Sequence, residues 1–366
     1  MSLKWVMPRV VGRGAGLGNE LIPWARAFVA ATLLNAKLLP PAFGLNARRY
    51  GRHFDTPAWD WLMHRAMLRT LPAYYFDESA FCAFGGGTDG GDAVTALQGF
   101  IEHHGLKHRK AYVLYTDGLW GGFAHIAAAR DFVRATLYRS RFAAQNLLRL
   151  RQRLSPDAVH IGLHIRLGDF GHARHLADEY RGQFNLSLPL QWYRQLALNL
   201  KSQLDRPLQF AVFSDGTREQ LAPVLEGLDA VYTDDLAPGD CSDLLALADM
   251  DLLVCSVSSF SAMAAFLSDS PYIWFEPQLQ HHAGGLRSIW GHEPMQQQAG
   301  SATLNALAAA HQAQQLGHDM HGHAWSVGLD AAVPAHLCER LTQRWTARRA
   351  AFDLVRYGVV QEAGHG

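Results

Sequence analysis

Three short stretches concentrate residues that could handle a phosphorylated ligand. The first is GAGLGNEL at 14–21, directly after the apolar run at 6–11. It has three glycines in five residues, then Asn19 opening an apolar segment. A glycine turn between a strand and a helix leaves backbone amides and a helix N-terminus free to face an anion. The third glycine of a G-x-G-x-x-G fingerprint is missing, because Leu17 or Asn19 stands at that place. The Lys-Ser/Thr that ends a P-loop is missing too. An anion-facing turn and a purely conformational glycine turn both stay open.

The second stretch is HIRLGDF at 164–170. Residues 159–165 alternate as a strand, so Arg166 falls at its carboxyl end, a place suited to bidentate contact with a diphosphate. Gly168 permits a turn. Asp169 could orient the arginine or simply pair with it. The third stretch, CSDLLALADMDLLVCSVSSFSAMAAFL at 241–267, reads as helix, strand, then a serine-rich turn opening another helix. Ser258, Ser259 and Ser261 place hydroxyls beside free helix-end amides, which serves either an anion or ordinary N-capping. Asp249 and Asp251 form a D-x-D pair like that of metal-dependent sugar transferases. One closes the helix and the other opens the strand, so capping is the expected role.

The elements needed to hold these stretches follow from periodicity. Residues 3–12 read as a buried strand and 19–38 as a helix with Pro23 near its first turn, where proline costs least. Residues 57–71 carry Trp, Leu and Met at helical spacing. Five glycines in ten residues make 84–93 a flexible loop. A strand at 110–118 precedes a long helix over about 124–154, broken once. Ser155-Pro156-Asp157 marks a boundary. After it come strands at 158–168, 208–216, 230–234, 251–256 and 272–276, with helices at 189–204, 217–226, 241–249 and 259–267. Apolar strands separated by crossover helices predict a parallel sheet covered on both faces, with ligands at the carboxyl ends of its strands. Residues 295–325, rich in Gln, Ala and His, read as mixed helix and loop. Residues 334–357 read as a charged amphipathic helix. The expected domains are 1–155, 156–330 and a helical tail at 331–366.

Composition narrows the class. A chain of 366 residues is long for one core and comfortable for two. Lysine plus arginine equals aspartate plus glutamate at 33 each, which gives no footing for bulk nucleic-acid binding. No signal peptide and no apolar run of about 18 residues is visible, so no membrane span is expected. Cys82, Cys241, Cys255 and Cys338 form no CxxC pair and read as free thiols in a reducing cytoplasm.

In their order along the chain, these stretches resemble the bacterial α-1,2-fucosyltransferase family and the wider GDP-fucose-dependent fucosyltransferase superfamily. The family's G-x-L-G-N-Q is similar to Gly16-Leu17-Gly18-Asn19-Glu20, and its H-x-R-x-G-D is matched in full by His164, Arg166, Gly168 and Asp169. Its FSD strand end is Phe213-Ser214-Asp215. Its SSFSWWAA segment is similar to Ser258-Ser259-Phe260-Ser261-Ala262-Met263-Ala264-Ala265. The resemblance covers roughly residues 10–270. It implies an α/β fold of GT-B type, with two Rossmann-like domains facing a central cleft. It also implies an inverting transfer of fucose from GDP-fucose to a glycan hydroxyl, with no metal and no resident cofactor. The acceptor would be an oligosaccharide or a lipid-linked glycan.

The carried-over roles are Arg166 on the donor diphosphate and Asn19 near the donor. Gly16, Gly18, His164, Ser214, Asp215, Asp243, Ser258, Ser259, Phe260 and Ser261 complete the donor site. Arg166, Asn19, Glu20 and Asp169 form the expected catalytic group. Two departures stand out. Glu20 puts a carboxylate where the family has an amide, and Ala262-Met263 replaces an aromatic pair, which reshapes the cleft wall there.

A general base would help deprotonate the acceptor, and the candidates are Glu20, Asp169, Asp178 and Glu179. Paired histidines at 103–104, 281–282 and 321/323 point apart on regular elements. His164, His172 and His175 lack a carboxylate or cysteine to complete a metal set. Trp59, Trp61, Tyr74, Tyr75 and Phe76 either pack in a core, stack on an acceptor sugar or touch a membrane surface. The expected location is the cytoplasm, with peripheral contact at the inner membrane face open. Three rival readings also stay open: a donor other than GDP-fucose, a non-catalytic sugar-nucleotide or glycan-binding module, and a metal-dependent transferase using Asp249 and Asp251.

Overall fold

A computed structural model describes residues 3–9, 15–41, 43, 46–54, 62, 65–66, 68–86, 93–118, 126, 128–172, 180, 186–281, 287–288, 319–320 and 324–356. The amino-terminal half is built on β1 (Leu3–Arg9), β2 (Lys37–Leu38), β3 (Ala73–Phe76) and β4 (Ala111–Asp117). They form a parallel sheet in the order β2-β1-β4-β3. Its helices are α1 (Leu17–Leu34), α2 (Gly51–Phe54), α3 (Glu78–Phe81), α4 (Ala93–His103), α5 (Arg130–Tyr138) and α6 (Ala143–Arg153).

The carboxy-terminal half contains β5 (Val159–Ile165), the two-residue strands β6 (Gly171–His172) and β7 (Leu186–Ser187), and α7 (Leu190–Gln203). It continues through β8 (Leu208–Ser214), α8 (Arg218–Leu225), β9 (Ala230–Tyr232), α9 (Asp240–Ala248), β10 (Leu252–Val254), α10 (Ser259–Leu267) and β11 (Tyr272–Phe275). The short β12 (Gln280–His281) and β13 (Arg287–Ser288) pair with each other. β14 (Asp319–Met320), β15 (Ala324–Val327) and α11 (Ala335–Arg356) complete it.

The larger sheet runs β14-β15-β11-β10-β5-β8-β9, parallel except for β14 on β15. From β9 to β15 this is the doubly wound order 3-2-1-4-5-6, with the strand order reversing between β5 and β10. A crevice opens at that reversal, because the crossovers on its two sides lie on opposite faces of the sheet. The two halves have the GT-B-type arrangement.

The halves also share a core. One apolar cluster runs from Val6 and Leu21 through Leu137 and Leu147 to Leu244 and Met263, so α1, α5 and α6 pack on α9 and α10. A second cluster, including Trp192, Val212, Ile273 and Leu337, fills the far face of the larger sheet and seats α11.

Several sequence expectations shift. The first helix begins at Leu17, which places Pro23 beyond the first turn. It ends at Leu34, because Asn35 adopts the left-handed conformation (φ 46°) and turns the chain into β2. The helix expected over about 124–154 has its one break, at the turn at 139–142, but its first piece starts only at Arg130. Residues 84–86 of the expected glycine loop lie in a helical turn, and Phe84 packs on Phe100 with ring centroids 5.5 Å apart. β3 had no sequence forecast, β2 lies where the helix at 19–38 was expected to end, and β15 begins in the stretch at 295–325 expected as mixed helix and loop. Residues 87–92, most of 57–67, Asp178, Glu179, His175 and most of 295–325 lie outside the described residues.

Candidate active site

Arg166 follows β5 where the sheet reverses. Its guanidinium meets Asp215 Oδ2 at 3.0 Å and donates to Asp169 Oδ1, and it lies over the Phe170 ring at 5.2 Å. The FSD strand end fixes this loop. Asp215 accepts from the Leu167 amide at 2.8 Å, and the Ser214 hydroxyl donates to the Ile165 carbonyl at 2.7 Å. A Cβ at Gly168 would stand 2.8 Å from Asp215 Oδ2, so any larger residue there would press on the carboxylate that holds Arg166.

On the neighbouring strand end, Ser258 caps α10 by accepting from the Ser261 amide. His164 is buried behind it. Its Nδ1 lies 2.6 Å from Ser261 Oγ and 3.0 Å from Ser256 Oγ, and its ring packs against Phe260 at 4.9 Å. Burial, with Arg166 nearby, pushes the imidazole down to about 3, so His164 is neutral at physiological pH. It serves as a neutral strut between β5 and α10.

The amino-terminal half supplies the opposite wall. Gly18 lies so close to α10 that an added Cβ would stand 2.3 Å from the Ser259 carbonyl oxygen. The glycine of the opening motif therefore sets the approach of the two helix starts. Buried Arg26 anchors α1 to the end of β4 by donating to the Gly118 carbonyl at 3.0 Å.

These elements enclose a cleft of about 480 Å³ at the carboxyl ends of the strands. Gly16, Gly18, Asn19, His164, Arg166 and Asp169 line it, as do Ser214, Asp215, Asp243, Ser258, Ser259 and Phe260. Asn19 Oδ1 and Arg166 Nε are buried there without a hydrogen-bond partner among the described residues. Such groups cost free energy unless something satisfies them, which fits a polar ligand.

Two expected residues stand elsewhere. Ser261 is fully buried beneath the cleft floor and bonds to His164. Glu20 is also buried, and its Oε1 accepts from Asn46 Nδ2 at 2.6 Å. Burial raises its carboxyl above the usual range, partly offset by the Asn46 bond. Glu20 does not line the cleft, so it is a tether for the turn at 46–50 and not a base. Asn46 also donates to the Ala15 carbonyl at 3.0 Å, and its Oδ1 accepts from the Arg48 amide. Ala262 and Met263 are buried in the core between the halves, so that departure changes packing there and leaves the cleft wall alone.

The turn at 46–50 and α2 bring in residues that sequence reading passed over. Arg48 reaches Asp169 Oδ2 at 3.1 Å across the cleft. Arg52 and His53 meet Asp240 Oδ2 at 2.9 and 3.1 Å. Burial opposes the charged form of Asp169, but Arg166 and Arg48 outweigh it and hold the carboxyl below the usual range. A carboxylate so held is a weak proton acceptor. Asp243 is opposite in character. Burial and then Asp240 push it well above the usual range, partly offset by the Thr233 hydroxyl at 3.3 Å. The only local hint of these partners was the basic run NARRYGRH at 46–53.

The D-x-D pair lies before β10, at the end of the sheet away from the cleft. Asp249 is the C-cap of α9 and pairs with Arg134. Asp251 accepts from the His160 amide at 2.8 Å and pairs with Arg348 at 2.6 Å. Among the described residues no group of three His, Cys, Asp or Glu side chains is placed to hold a metal. Of the aromatics at 74–76, Phe76 is buried, while Tyr75 is 46% exposed and stacks on Tyr115 at 5.2 Å. Among the described residues no helix is long and apolar enough to cross a membrane.

No family model and no curated protein matches the chain. Among solved structures it is similar to NodZ alpha-1,6-fucosyltransferase soaked with GDP-fucose, at 16% identity and a TM-score of 0.44, over 75% of this chain and 96% of that one. It is similar to fucosyltransferase NodZ from Bradyrhizobium at 13% identity and a TM-score of 0.43, over 73% and 94%. It is also similar to POFUT1 in complex with GDP at 13% identity and a TM-score of 0.42, over 74% and 96%. These are distant likenesses of fold, and they do not single out the α-1,2 family of the sequence resemblance.

Proposed function

We propose that the chain is a glycosyltransferase that binds a nucleoside diphosphate sugar in the cleft, with GDP-fucose as donor and a glycan hydroxyl as acceptor. One observation carries this reading. Arg166, the α10 start and the Gly16–Asn19 turn come from separate elements of both halves and line one cleft at the sheet reversal. A diphosphate there would face a guanidinium and helix-end amides. The carboxyl group of Asp243, beside Thr233, offers oxygen atoms to the adjacent N–H groups on the edge of a guanine.

In an inverting transfer, the acceptor oxygen attacks the anomeric carbon opposite the leaving diphosphate. The C–O bond to the diphosphate breaks, and negative charge grows on the leaving oxygens. Arg166 and the amides of α10 stabilise that charge where it develops. No metal ion is needed in this scheme, because the chain's own cation faces the leaving group.

The test is calorimetric titration with GDP, GDP-fucose, GDP-mannose, UDP and ADP, on wild type and Arg166→Ala, without added metal. Selective GDP binding that weakens at least tenfold in the variant is the expected result. Binding of UDP or ADP in preference would reassign the donor. Turnover should fall roughly 100- to 1,000-fold in the variant, as for loss of one oxyanion donor. A well-folded wild type that binds none of these nucleotides would refute the reading.

A further inference from the structure

A second cavity, of about 390 Å³, lies at the amino ends of the larger sheet's strands, on the side away from the cleft. Its walls include Leu154 and Pro156, where the chain crosses from one half to the other. Arg134 from α5, Arg151 from α6, and Arg344 and Arg348 from α11 face it, against only Asp249 and Asp269. Counting the carboxylate and arginine just outside, Asp251 and Arg130, the balance is five cations to three anions.

The arginines are not equally committed. Arg134 pairs with Asp249, and Arg348 with Asp251. Arg344 donates to the Asp269 carbonyl at 2.8 Å and to Ser270 Oγ at 2.7 Å, and no carboxylate among the described residues pairs with it. Its Nε is buried without a hydrogen-bond partner. The carboxylate nearest Arg151, Asp249, is 3.8 Å away, and the Arg151 side chain is 68% exposed. Two forks with unused donors, one from each half, thus face one cavity. Bidentate guanidinium donors match phosphate oxygens in geometry and charge. Leu147, Leu150 and Met250 supply an apolar floor for the carbon part of an ester.

We propose that this cavity is a second anion site, taking a phosphate-bearing ligand between Arg151 and Arg344, where the chain crosses between the two halves. A ligand held there would tie α6, the crossing segment and α11 together. The α11 strap already grips that segment: Arg348 donates to the Ala158 carbonyl, and Arg349 pairs with Asp157.

The probe is inorganic phosphate, titrated calorimetrically into Arg166→Ala so that the front cleft lacks its cation. One retained site is expected, weakened at least tenfold when Arg151→Ala and Arg344→Ala are added. Arg151→Lys with Arg344→Lys keeps the charges and loses the forks, so it should weaken binding less than the alanines. It also serves if the alanine variant misfolds by urea denaturation. No phosphate binding to folded Arg166→Ala, or binding indifferent to both pairs of changes, would overturn the proposal. Co-sedimentation with phosphatidylcholine vesicles, with and without phosphatidic acid, identifies the source. Pelleting that depends on phosphatidic acid and on the two arginines assigns a lipid headgroup. Phosphate binding without pelleting assigns a soluble ester.

Discussion

Asp169 accepts hydrogen bonds from arginines that belong to opposite halves of the molecule: Arg166 after β5, and Arg48 from the turn before α2 at 3.1 Å. One carboxylate therefore bridges the cleft and occupies the cation assigned to the donor. A diphosphate binding at Arg166 competes with that carboxylate. Asp169→Asn should leave GDP affinity unchanged or raise it several-fold, opposite in sign to Arg166→Ala. Because Arg48 and Asp169 are each about half exposed, stability should change by only about 0–1 kcal/mol. Calorimetry with GDP and urea denaturation check both parts, and a tenfold loss of GDP affinity would show that Asp169 itself holds the ligand.

Glu20 tests how the chain tolerates its departure from the resemblance. Its folded carboxyl titrates above the unfolded value, so the folded state takes up a proton more readily. Its contribution therefore becomes more destabilising as pH rises from the unfolded value toward the folded one, and is constant above. Glu20→Gln keeps an oxygen to accept from Asn46 and removes the buried charge. The variant should be about 1 kcal/mol more stable at pH 7 to 8, and the advantage should shrink as pH falls through the folded value and be gone by about pH 4.5. Urea denaturation at pH 4 and pH 8 measures it. A variant less stable than wild type at pH 8 would mean the carboxylate is stabilised by something other than Asn46.

His164 sits in the motif most suggestive of catalysis, yet its surroundings keep it uncharged. Its folded value, about 3, lies below the unfolded one near 6.5. The corresponding stability is present above pH 6.5 and is lost as pH falls toward 3. Its ring resonances should not titrate between pH 5 and 8 by NMR. Over the acid range, His164→Asn should remove up to one proton's slope, about 1.4 kcal/mol per pH unit, from the stability profile. A ring titrating near pH 6.5 would restore His164 as an acid–base candidate.

The D-x-D pair gives a sharper contrast. Asp249 and Asp251 are engaged by Arg134 and Arg348 at the end of the sheet opposite the cleft. Asp249→Asn should cost about 1–2 kcal/mol of stability through its arginine. It should leave GDP binding intact, and chelators should leave that binding intact too. Loss of GDP binding in EDTA, restored by a divalent ion, would revive the metal-dependent reading.

The stretches that face the cleft could be read from the chain because each breaks a local pattern where a strand ends. Gly16 and Gly18 follow an apolar run, Arg166 ends an alternating strand, and Ser258 opens an apolar helix. Arg48, Arg52 and Asp240 had no such signal. Each is an ordinary exposed charge by sequence, and only the closure of one half on the other brings them to the cleft. Glu20 misled for the related reason that its neighbours in the motif face the cleft while its own side chain turns inward to Asn46. The short β2 and β3 were illegible because two to four residues carry too little periodicity.

The close approach of Gly18 to Ser259 answers what the glycines of the opening stretch are for. Gly18 is inside a helix, where glycine is worth roughly 1 kcal/mol less than alanine, so propensity alone favours Gly18→Ala. The contact decides otherwise. A Cβ would meet backbone, the Ser259 carbonyl carbon at 2.5 Å, which no rotamer change relieves. The α1 start would have to move away from the α10 start, widening the cleft and loosening the packing of Leu17 and Leu21 behind it. Gly18→Ala should lower stability by about 1–3 kcal/mol, as overpacking does, and weaken GDP binding at least tenfold. Gly16→Ala is the control, since nothing stands within 4 Å of its added Cβ. Urea denaturation and GDP calorimetry on both variants decide it. Equal behaviour of the two would mean that the halves adjust freely at this seam, and that the glycines serve the turn and not the approach.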